Sequence, residues 1–159
     1  MLYLDKLYSI FHLFFYDDHK KLHIHEYENN SKQLLVYSNI IYLIVFLLIL
    51  KQDIPNKILA IFLLLTVFAT STFYHYIQCN HDNYNYYCNS KLCDVSVVIG
   101  ATLLIILLVK IKLNIFLILL IIIAIYFFMK YETLDIYIYS HSIWHVLTGI
   151  IIYFIFTIQ

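Results

Sequence analysis

The sequence predicts an all-α fold, a polytopic transmembrane helix bundle of about five spans. Three observations carry that expectation. The chain has 159 residues, 63% of them hydrophobic and 13% charged, with two Gly and one Pro; a soluble domain of this length would need far more polar surface. The charges are also segregated: Asp, Glu, Lys and Arg are absent between Lys32 and Lys51, Lys57 and His75, Asp94 and Lys110, Lys112 and Lys130, and everywhere after Asp135. Each gap is close to the length a helix needs to cross ~30 Å of hydrocarbon. Finally, Ile and Leu dominate the gaps, and in lipid a helix satisfies its backbone groups internally where an open strand does not.

Taken in order, residues 1–32 read as an N-terminal tail in which the short apolar run "LYSIFHLFFY" suits an interfacial helix. Neither a basic region ahead of that run nor a small-residue cleavage site is clear, so it does not read as a signal peptide. The transmembrane domain then occupies 33–159. A first span is expected at about 33–50 and a second at about 57–77. Pro55 stands at the start of the second, where its missing N–H costs nothing. The stretch "QCNHDNYNYYCNSK", 78–91, reads as a polar loop. Spans three and four follow at about 92–109 and 113–129, hinged at "KIKLN", and after the elbow "KYETLD" the last span covers about 139–158. No internal repeat is visible.

Formal net charge is zero, so no basic face argues for a nucleic-acid partner. All the cations are Lys, and Ile, Asn and Tyr abound. Individual Asn and Tyr residues therefore carry little weight as signals.

Ionisable groups in or at the ends of spans are costly and by default suggest function. They are His75 near the end of span two, Asp94 at the start of span three, and His141 and His145 at the start of span five; Ser71 lies one turn before His75. The end of span two and the start of span three share a membrane face, and two crossings return the chain to that face for span five. All five residues thus fall at similar depth on one side. His141 and His145, at i and i+4, present two imidazoles to one point, and Ser71 and His75 project together likewise. Three neutral imidazoles suit a catalytic zinc, which keeps a fourth position for water. Asp94 is placed to accept a proton from that water, and Ser71 to donate to a developing oxyanion.

Each residue also has a plainer explanation. HxxxH recurs at His19 and His23 in a polar stretch where solvated side chains suffice. A histidine near a helix end often sits at the interface. Asp94 would suit the first turn of its helix, and Ser71 could bond back to a carbonyl of its own helix. Only the shared face resists these explanations together.

Cys79, Cys88 and Cys93 lack the paired C-x-x-C spacing of a structural zinc site. One disulfide, pairing Cys79 with Cys93 to tie spans two and three, plus one free thiol is the simpler expectation on an oxidising face. Loop lysines agree. The site-side loops hold Lys91 and Lys130, and the opposite loops Lys51, Lys57, Lys110 and Lys112. That distribution puts the site on the lumenal or extracellular face of a secretory-pathway or plasma membrane, although the tail's Lys6, Lys20, Lys21 and Lys32 pull the other way.

These residues resemble the CREST superfamily of membrane hydrolases, which includes alkaline ceramidases and the progestin and adipoQ receptors. Its pattern is Ser-x-x-x-His, then Asp on the next helix, then His-x-x-x-His on the last; here Ser71 and His75, Asp94, and His141 and His145 match it. The text "STFYH", Cys79, "LCD" and "HSIWHV" is most similar to the transmembrane protein eight family, whose members include a GPI-specific phospholipase A2. The resemblance covers about residues 57–158. It departs in length: the family has seven spans, and this chain has room for only two crossings between Asp94 and the last helix. One helical hairpin is missing, which preserves sidedness. The resemblance implies zinc held by His75, His141 and His145, Asp94 as base, Ser71 as oxyanion donor, and an acyl ester of GPI or another phospholipid as substrate. Two alternatives stay open: a ceramidase-like amidase using the same residues on ceramide, and a receptor-like or reduced membrane protein without catalysis.

Overall fold

The computed structural model describes Ile24 and residues 30–80, 84–109, 111–112, 114–130 and 133–158. The tail, with its expected interfacial helix and the His19/His23 pair, lies almost wholly outside these residues. The described residues form an all-α bundle. We number its helices α1 (Asn30–Leu50), α2 (Lys57–Asn80), α3 (Tyr84–Leu108), α4 (Ile115–Met129) and α5 (Leu134–Thr157). α1, α2, α3 and α5 are long and apolar enough to cross a membrane. α4 occupies the expected fourth span but has only 15 residues, about 22 Å of helix. Its ends are set locally. Asn114 caps the start by accepting from Leu117 N–H at 2.8 Å, and at Lys130 the backbone turns extended.

Two expected boundaries move. The stretch 78–91 is not an open loop: α2 continues to Asn80 and α3 already begins at Tyr84. The segment contains no Gly or Pro to stop a helix, and Gln78, Cys79, Tyr87 and Ser90 are buried. Their polar character suits solvent, yet they pack inward. The last span likewise starts at Leu134 and not near 139. Thr133 caps it by accepting from Ile136 N–H at 3.2 Å. Tyr137 and Ile138 are then buried in a small cluster with Ile24, Leu35 and Cys79. Ahead of α2, Pro55 is followed by Asn56 in the left-handed region, φ 58°, which turns the chain into the new helix; Asn tolerates that conformation better than most residues.

α1 is not uniform. A 3-10 turn (Asn30–Gln33) and one α-turn (Leu34–Tyr37) precede the regular stretch Ile40–Leu50. Leu35 O, which Asn39 N–H would bond in an α-helix, instead accepts Asn39 Nδ2 at 2.9 Å and Ser38 Oγ at 3.1 Å. Asn39 N–H moves to Val36 O, and Tyr42 N–H bonds Asn39 O. Side chains competing for a carbonyl have tightened the helix there.

α2 packs between α1 and α3, and α5 packs between α1 and α4. The sequence periodicity explains why α1, α2 and α5 form the centre. Each carries a buried stripe at three- and four-residue steps: Leu35, Ser38/Asn39, Tyr42, Val45 and Ile49; Ala60, Leu63/Leu64, Val67, Ser71, His75 and Gln78; Ile138, His141, His145, Gly149 and Phe156. At one end the stripes are apolar. Tyr42, Val45, Ile49, Leu63, Leu64, Val67 and Phe156 form the largest core cluster, joined by Ile105 and Val109 at the end of α3. Gly149 permits close approach of α5 to α1, since a Cβ there would lie 2.8 Å from Ile41 Cγ1. At the other end the same stripes turn polar.

Candidate metal centre

The polar end places three imidazoles together. His75 projects from α2, and His141 and His145 project from α5 one turn apart. Their ring centroids are separated by 5.0 Å (His75–His141), 4.9 Å (His75–His145) and 4.8 Å (His141–His145). His75 and His145 are 0% exposed and His141 9%. One ligating nitrogen from each lies within 4.8 Å of the other two. In a tetrahedral site with ~2.0–2.1 Å bonds, neighbouring nitrogens stand about 3.3 Å apart, a closure within reach of small side-chain rotations. The donor set therefore fits one metal ion. Imidazole nitrogen suits zinc, copper, iron or nickel, so the donors alone do not name the ion.

Each histidine is held by neighbours. His145 Nδ1 lies 2.7 Å from Ser38 Oγ, and its Nε2 is 3.5 Å from Ser71 Oγ. His75 Nδ1 lies 2.9 Å from Gln78 Oε1, and Gln78 Nε2 donates to Tyr137 OH at 3.4 Å. His141 sits among rings, with Trp144 at 4.9 Å, Tyr137 at 5.1 Å and Phe128 of α4 at 6.0 Å between centroids. Tyr42 stands edge-on to His145 at 6.3 Å, its hydroxyl 2.8 Å from Thr148 Oγ1. Buried polar groups cost free energy unless hydrogen-bonded, and this shell supplies partners for both nitrogens of His145 and for Nδ1 of His75.

Of the residues singled out in the sequence, His75, His141, His145 and Ser71 are brought together. Ser71 reaches across to His145. Asp94 is buried on α3, 8% exposed, where it accepts from Thr70 Oγ1 at 3.3 Å. Thr70 precedes Ser71 on α2, and Asp94 is not one of the three converging ligand groups. Because α3 begins at Tyr84, Asp94 is well inside the helix, beyond the first turn where the helix dipole favours an acid. Cys79, Cys88 and Cys93 are all free thiols. The expected Cys79–Cys93 pair is not joined: Cys79 is buried and donates to Lys32 O at 3.3 Å, while Cys93 is exposed.

Sequence reasoning passed over Ser38 and Gln78. Both left a signal: Ser38 is a polar residue inside an apolar span, and Gln78 follows His75 by one turn. No protein-family model matches the chain, and no curated protein or solved structure does either.

Proposed function

We propose that this chain is an integral-membrane, zinc-dependent hydrolase of a lipid acyl linkage, related to the CREST superfamily and nearest to its transmembrane protein eight family. The observation that carries the reading is the convergence of three buried imidazoles from two membrane-length helices. A buried set of three neutral ligands leaves room for water and substrate, the arrangement catalytic zinc uses and structural zinc does not. When bound, zinc supplies Lewis-acid chemistry, acidifying a water and polarising a carbonyl oxygen.

The chain's own residues supply the rest. His75, His141 and His145 would hold the ion. Asp94 would take the proton given up by the attacking water, its carboxylate steadied by Thr70. Ser71, with its hydroxyl beside His145 Nε2, would donate a hydrogen bond to the carbonyl oxygen as negative charge develops there. Trp144, Phe128 and Tyr137 form an aromatic wall around His141, an apolar surface suited to an acyl chain. The substrate class is an acyl ester of GPI or another phospholipid, presented from the leaflet on the site's own side of the membrane.

The test is to purify the chain in lipid nanodiscs, measure bound zinc, and assay fatty-acid release from GPI lipid, a diacyl phospholipid and ceramide. The reading expects about one zinc per chain and ester cleavage that chelation removes and zinc restores. Ceramide cleavage would favour the amidase, and zinc without turnover a metal that only supports the fold.

A further inference from the structure

Ser38 and Gln78 both touch the histidines through Nδ1, and one proton arrangement serves every one of these contacts at once. Ser38 has a single hydroxyl proton. Leu35 O, 3.1 Å away, is an acceptor only, and the hydroxyl donates to it. Toward His145 Nδ1, at 2.7 Å, Ser38 Oγ is then left to accept. The proton lies on Nδ1, and Nε2 carries the lone pair. Ser71 Oγ faces that lone pair at 3.5 Å, at the acceptor edge of the ring, and is placed to donate to it. The chain of donors runs Ser71, His145, Ser38, and ends on a backbone carbonyl.

His75 reaches the same state by another route. Gln78 Oε1 accepts and cannot donate, so the Nδ1 at 2.9 Å must carry the proton. The amide is held in that orientation by Tyr137 OH, to which Gln78 Nε2 donates. α1 and α2 therefore impose one tautomer with different tools. α1 contributes a serine at the point where its hydrogen bonding tightens, and α2 contributes a glutamine one turn beyond the histidine.

We propose that Ser38 and Gln78 are positioning residues that lock His145 and His75 in the Nδ1–H form, so that both turn an Nε2 lone pair to one metal. The metal half of this statement rests on the reading given above; the tautomer half does not. An outer partner that fixes the tautomer and ring orientation of a ligating histidine typically changes metal affinity by roughly 10- to 100-fold when removed.

The experiment is 15N NMR of histidine-labelled protein in nanodiscs, free of metal and above the pH at which the imidazoles are protonated, with His75→Asn and His145→Asn used for assignment. The wild type should show both residues as Nδ1–H, against the Nε2–H form that a free imidazole prefers. Ser38→Ala should shift His145 toward Nε2–H and leave His75 unchanged; Gln78→Leu should do the reverse. Ser38→Thr and Gln78→Glu keep the acceptor and should restore the wild-type spectra, which separates tautomer control from general loss of structure. In zinc titrations the two disruptive variants should bind roughly 10- to 100-fold more weakly, and the two conservative ones within a few-fold of wild type. Nε2–H at either residue in the wild type would overturn the proposal, as would Nδ1–H signals that survive both disruptive changes. Nδ1–H forms in a protein that binds no metal would overturn the metal reading and uphold the tautomer assignment.

Discussion

The two ends of the bundle are built from the same three helices, on the same stripes, and do different work. At one end Val45 and Ile49 of α1, Leu63, Leu64 and Val67 of α2 and Phe156 of α5 pack as an apolar core. One to three turns further along those stripes the buried positions become Ser38 and Asn39, Ser71, His75 and Gln78, and His141 and His145. The three- and four-residue steps continue along the stripes, with α1 tightening at Ser38 and Asn39. Chemistry changes completely. At the apolar end side chains are interchangeable within limits of volume. At the polar end each group depends on a named partner, and removing one leaves another buried and unsatisfied. Packing at one end holds the helices at the separation the imidazoles require at the other.

The largest expected effect is at the polar end. His145→Ala removes a ligand and should lower zinc affinity by on the order of 100-fold or more, measured by competition with a chelating dye. Helix content and melting of the apolar end should remain. Next comes Asp94→Asn. If the carboxylate takes the proton, turnover should fall roughly 100-fold or more while zinc content is retained, because Asp94 bonds Thr70 and is not one of the three converging groups. Fatty-acid release at saturating zinc reads this directly, and wild-type turnover across pH would remove Asp94 from the mechanism.

The apolar end should respond in the opposite sense. Phe156 is fully buried in the largest cluster, and Phe156→Ala should cost about 3–5 kcal/mol of stability. Zinc per folded chain should be unchanged. Equilibrium unfolding in mixed detergent reads the first quantity and elemental analysis the second; a variant that lost zinc while folded would show the ends to be less separable than drawn. The smallest effect is expected at the boundary between the ends. Gly149→Ala sets a methyl against Ile41 and should cost about 1–3 kcal/mol, partly offset by the better helix propensity of Ala. Its diagnostic is a modest loss of zinc affinity alongside the loss of stability, since Gly149 lies one turn from His145.

The apolar end was the easier to read from sequence. Gaps between charges located all five helices because membrane length is a strong constraint, and α4 fell short only where Asn114 and Lys130 define its ends. The histidines were legible because ionisable groups at shared depth are rare in spans. Boundaries were harder. Residues 78–80 and 84–91 read as loop because their side chains are polar, yet Gln78, Tyr87 and Ser90 turn inward. Partners were hardest. Serine is common in membrane helices, and the abundance of Asn and Tyr hid Asn39, Tyr42 and Tyr137. Nothing local to Ser38 announces that its hydroxyl will meet His145, which lies more than a hundred residues away. Such pairs are set by which helices pack together, and a single sequence carries that information only weakly.

Three histidines from α2 and α5 stand close enough to hold one metal ion. X-ray absorption at the zinc edge of the purified, zinc-loaded chain tests most directly whether they bind it. One zinc per chain is expected, with three imidazole nitrogens at ~2.0–2.1 Å and a lighter oxygen ligand. Sulfur scatterers at ~2.3 Å would move the metal to Cys79, Cys88 or Cys93 and contradict it, as would a chain that retains no zinc.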